Sequence, residues 1–68
     1  MASKLITSEN TKRAERAVRS AAVDKFGRRR KDVFYEHGQW WVRMTTADDR
    51  DVFFSAVDTN RGIDFERV

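Results

Sequence analysis

Apolar residues return every three or four positions in the first part of this chain and alternate with polar ones after residue 32. In the first stretch Ala14, Ala17, Val18, Ala21, Ala22 and Phe26 make one stripe, the signature of an amphipathic helix. Thr7 or Ser8 is placed to cap it, with Glu9 in a first turn whose dipole favours an acid, and Gly27 stands as the left-handed residue past its end. Lys12, Arg16 and Arg19 fall on the opposite side, Arg13 lies beside them, and Glu15 interrupts one flank. Val23 lands on that charged side and breaks the pattern.

The second stretch predicts strands. Asp32 to Glu36 alternates, and His37-Gly38 fits a two-residue hairpin loop that pairs Glu36 with Gln39, Tyr35 with Trp40 and Phe34 with Trp41. One face of the hairpin then carries Val33, Tyr35, Trp40, Val42 and Met44; the other mixes Phe34, Glu36, Gln39, Trp41 and Arg43. Ala47 to Arg50 makes the next turn and Val52 to Val57 a third strand, with Phe53 or Phe54 facing outward according to a register the loop leaves open. Asp58 to Gly62 has turn chemistry, and Ile63, Phe65 and Val68 suit a short fourth strand or an extended tail. The expected fold is α+β in two layers: one N-terminal amphipathic helix packed on a three-stranded antiparallel meander, within a single domain over 1–68 whose residues 1–6 are flexible.

Each strand carries two adjacent aromatics, Phe34-Tyr35, Trp40-Trp41 and Phe53-Phe54, which sends rings to both faces of the sheet. The helix covers one face. With 68 residues, no cysteine and no proline, little remains to cover the other, and self-association or a partner is the expected supplement to a core of this size. The formal charge is +3, yet it is polarised: ten Lys/Arg against three acids lie in residues 1–31, and four against eight in 32–68. The missing cysteines fit a reducing compartment, and no apolar run approaches membrane length, so a soluble cytoplasmic protein is expected.

Catalytic chemistry finds no footing in this pattern. His37 is the lone histidine, sits in the hairpin turn, and has no serine or cysteine nucleophile beside it. Asp58, Asn60, Gly62 and Asp64 echo a calcium loop but place the glycine at the fifth position and run out before the twelfth, so no metal or other cofactor is expected. Two binding surfaces are expected instead. The run Arg28-Arg29-Arg30-Lys31, with Lys12, Arg13, Arg16 and Arg19, suits nucleic-acid phosphates or an acidic partner. The outward rings Phe34 and Trp41, with Arg43 among them, suit a protein partner or a second copy of the chain. A helix lying on one sheet face directs its cations away from the rings on the other.

Overall fold

A computed structural model describes residues 6–68. Helix α1 (Lys12–Phe26) is followed by strands β1 (Lys31–Glu36), β2 (Gln39–Thr45), β3 (Asp51–Thr59) and β4 (Gly62–Arg67), which form one antiparallel sheet in the order β1-β2-β3-β4. The α+β architecture is as read from the sequence, but the sheet has four strands rather than three. The C-terminal residues pair along the whole outer half of β3, from Thr59 opposite Gly62 to Phe54 opposite Arg67. Loose alternation left this strand open against an extended tail, because Asp64 and Glu66 belong to an edge, where charge is tolerated and discourages further pairing.

The helix begins later than the capping pattern suggested. Thr11 is the N-cap: its hydroxyl accepts from the Ala14 N–H at 3.0 Å, and Glu15, not Glu9, is the acid of the first turn. Thr7 is engaged elsewhere. Its N–H and hydroxyl both donate to Asp58 Oδ2, at 3.0 and 2.6 Å, and its carbonyl accepts the Trp40 backbone N–H at 3.0 Å. Since the β2–β3 ladder starts at Trp41 opposite Ser55, Thr7 stands as a wedge between Trp40 and Asp58 where the two strands have separated. Two aromatic side chains fasten the same segment: the Trp40 indole donates to the Glu9 carbonyl at 2.6 Å, and the Tyr35 hydroxyl to the Ser8 carbonyl at 3.0 Å. Of the 1–6 segment expected to be flexible, residues 1–5 lie outside the described residues, and Ile6 packs on the core.

At its other end the helix stops at Gly27, whose N–H donates to the Val23 carbonyl at 2.8 Å. The glycine has φ 75° and ψ −155°, so it is not the left-handed helical residue expected; this region is open to glycine almost alone. His37 and Gly38, at φ 54° and 79°, make the type I′ turn that sets the β1–β2 register as read from the sequence. A five-residue loop between Thr45 and Asp51 then settles β3: Val42 faces Phe54 and Arg43 faces Phe53, so Phe54 turns to the helix and Phe53 away from it.

The core is thin and built on close approach. Ala14, Val18 and Ala22 lie fully buried over Val42, with Trp40, Met44, Ala56 and Phe65 around them. Phe26 closes one end against Phe54 and Phe65, at ring centroid distances of 4.7 and 5.3 Å. The assignment of the two phenylalanines is tested by truncation. Phe54→Ala is expected to cost about 3 kcal/mol in urea unfolding and Phe53→Ala roughly a third of that; equal losses would contradict the register. Asp58→Ala, which leaves Thr7 without its acceptor, is expected to cost about 2 kcal/mol in the same measurement, and a neutral effect would show that the wedge does not hold the segment.

Candidate nucleic-acid interface

The cations of α1 descend its solvent side at helical spacing. Lys12, Arg16 and Arg19 follow one another on one line and Arg13 flanks them; all four are exposed. Arg19 is held by Glu15 through two hydrogen bonds, at 2.9 and 3.2 Å, which pairs that step of the stripe with an acid. Val23 continues the line and explains its own break in the pattern. It is 49% exposed and, with Val33, forms the apolar floor of a groove of about 340 Å³ between the end of the helix and β1. Arg19, Arg29, Arg30 and Lys31 form the groove's walls.

Lys31 does not offer its charge freely. Its ammonium donates to the Gly27 and Arg29 carbonyls at 2.7 and 2.6 Å, and so ties the 27–30 loop into a fixed arch. Arg28, Arg29 and Arg30 are displayed from that arch. These three, with Lys12, Arg13 and Arg16, have no ion-pair partner among the described residues. The eight cations singled out in the sequence thus divide into six displayed ones, one paired with an acid and one serving the backbone. What sequence reasoning missed was the groove, because nothing local announces that Val23 and Val33 meet.

The aromatic surface lies on the opposite face, as expected. Phe34 and Trp41 stack nearly parallel, 6.5 Å between centroids and 10° between planes, and Phe53 meets Phe34 edge-on at 6.5 Å. The Trp41 indole donates to the Glu36 carbonyl at 2.8 Å, which fixes the ring flat along β1. Phe53 is 40% exposed and Val68 76%, and with Glu36 and His37 they border a recess of about 210 Å³ beside the rings. Arg43 turns to Asp32, whose hydrogen bond and charge raise the guanidinium's pKa beyond its ordinary value. It therefore stays charged but engaged, and is less available to a partner than its position suggested.

A third concavity, about 670 Å³, runs between α1 and the β4 edge past Ser20, Asp24, Arg61 and Asp64. It is crossed by the Lys25–Asp64 ion pair at 2.7 Å. Asp58 and Asp64, the acids of the calcium-like spacing, are thereby committed to Thr7 and Lys25. Comparison with known proteins adds no assignment: no family model, curated protein or solved structure matches the chain.

The Asp64 carboxyl is held below the usual aspartate range by the hydrogen bond from Lys25, then by the Phe65 N–H at 2.8 Å, then by the charge of Lys25. A depressed folded-state pKa contributes stability above the unfolded value of about 3.9 and loses it as pH falls through the folded value. In an NMR pH titration, Lys25→Met is expected to move the Asp64 midpoint up toward about 3.9 without fully reaching it, since the Phe65 amide remains. An unmoved midpoint would assign the depression to the backbone alone.

Proposed function

We propose that this chain is a small non-enzymatic binding module that holds nucleic acid by its phosphate backbone, through the basic stripe of α1 and the arch at 28–30. One observation carries the reading. Six exposed cations have no acidic partner among the described residues, and two of them, Arg29 and Arg30, join Arg19 in walling the groove between the helix end and β1. Displayed guanidinium groups bind phosphate oxygens in pairs of hydrogen bonds, and a backbone lying along α1 meets a cation about once per helical turn. Such binding is blind to sequence and sensitive to salt.

A second reading rests on the other face. Phe34, Trp41 and Phe53 form an aromatic cluster with an exposed flank at Phe53 and Val68, the composition of a protein contact surface. The faces are opposed, so one molecule has room for both contacts at once.

Fluorescence anisotropy of labelled single- and double-stranded oligonucleotides, titrated at several salt concentrations, tests the first reading. Saturable binding is expected, and Arg28→Ala, Arg29→Ala and Arg30→Ala together are expected to make the plot of log affinity against log salt shallower by up to about 3 for duplex. An unchanged slope and affinity in that triple variant would remove the arch from the interface. No binding by the wild-type chain at low salt would overturn the reading, and loss of partner binding through Trp41→Ala would then support the second.

A further inference from the structure

The β1 edge of the sheet carries information that neither face does. The Trp40 N–H points away from β1, to Thr7, so Tyr35 and Trp40 are a non-hydrogen-bonded pair and the ladder bonds of β1 belong to Asp32, Phe34 and Glu36. The N–H and C=O groups of Lys31, Val33 and Tyr35 therefore face outward along an edge that no described strand covers. An uncovered edge of this kind is a template for another strand.

We propose that the occupant is a second copy of this chain, pairing β1 antiparallel with β1 about a two-fold axis through Val33. The register follows from charge and hydrogen bonding together. A two-fold axis perpendicular to the sheet opposes residues of the same face, and two registers keep five residues of β1 in the ladder. Centred on Phe34, the pairing sets Asp32 against Glu36 of the second copy, like charges directly opposed. Centred on Val33, it sets Arg30 against Glu36 of the second copy, twice by symmetry. In that register Val33 meets Val33, and Lys31 meets Tyr35, all through outward-facing backbone groups, giving six ladder bonds.

The opposite edge excludes the same arrangement. The two registers that keep five residues of β4 paired set Asp64 against Asp64, or Asp64 against Glu66. β1 is the edge whose charges are complementary to themselves under a two-fold operation, and the contact closes at two chains rather than growing.

The pairing also answers two exposures noted above. Both helices lie on the same side of an eight-stranded sheet, so the grooves floored by Val23 and Val33 adjoin across the axis. On the other side the two Phe34 residues become diagonal neighbours, within reach of one another's rings, and join the two Phe34, Trp41 and Phe53 clusters into one. Arg28, Arg29 and the α1 cations remain displayed, so the dimer stands whether or not nucleic acid binds.

Sedimentation of the full 68-residue chain over micromolar to millimolar concentration, with amide exchange by NMR, tests the proposal. A monomer–dimer equilibrium is expected, with protection of the Lys31, Val33 and Tyr35 amides rising with concentration. Glu36→Arg and Arg30→Glu, both at exposed positions, are each expected to weaken dimerisation roughly three- to tenfold, and the double exchange to restore it. A wild-type chain that stays monomeric throughout overturns the proposal. So does a dimer indifferent to both single reversals, or one whose protected amides lie elsewhere.

Discussion

One helix can shield one face of a sheet, and most of this molecule's character follows from that constraint. The approach is close because Ala14, Val18 and Ala22 present little bulk to Val42, so a short chain still excludes water from a continuous layer. Large rings then serve at the periphery of the layer: Phe26 with Phe54 and Phe65 at one end, Trp40 with Tyr35 at the other. The aromatic residues on the far face have no such roof. They shelter one another, with Phe34 between Trp41 and Phe53, and leave Phe53 and Val68 partly in water.

The polarised charge becomes intelligible within this geometry. Acids of the C-terminal half do not neutralise the N-terminal cations wholesale; Lys25–Asp64 is the one ion pair among the described residues that joins helix to sheet. The other ion pairs are local or lie within the sheet, such as Arg19 with Glu15 and Arg43 with Asp32. Attraction between the halves therefore explains little of the basic density on α1 and at 28–30, and a polyanion is the simplest counterpart to what is left.

Much of this was legible in the chain, and the failures have definite causes. The alanine stripe and the His37-Gly38 turn were readable because each is set by neighbours in sequence: a helix period in the first case, a backbone preference for positive φ in the second. The helix start was misread because Thr7, Ser8 and Thr11 are all competent caps, and the choice was made by Asp58 and Trp40, distant residues that claim Thr7. Phe53 and Phe54 were indistinguishable until the length of the Thr46–Arg50 loop fixed which one faced Val42. For the interface, the cations themselves were evident. Their division was not, since Lys31 turning back on the Gly27 carbonyl depends on a loop shape that only Gly27 permits.

The Thr7 wedge has a consequence for how the chain comes together. Its acceptor lies 51 residues further along, so the earliest described residues to be synthesised are among the last to find their place. The helix and the hairpins can form from short-range contacts before that distant one is made. The segment at Thr7 must wait for Asp58, and until it is seated the indole of Trp40 and the hydroxyl of Tyr35 lack the Glu9 and Ser8 carbonyls to which they donate.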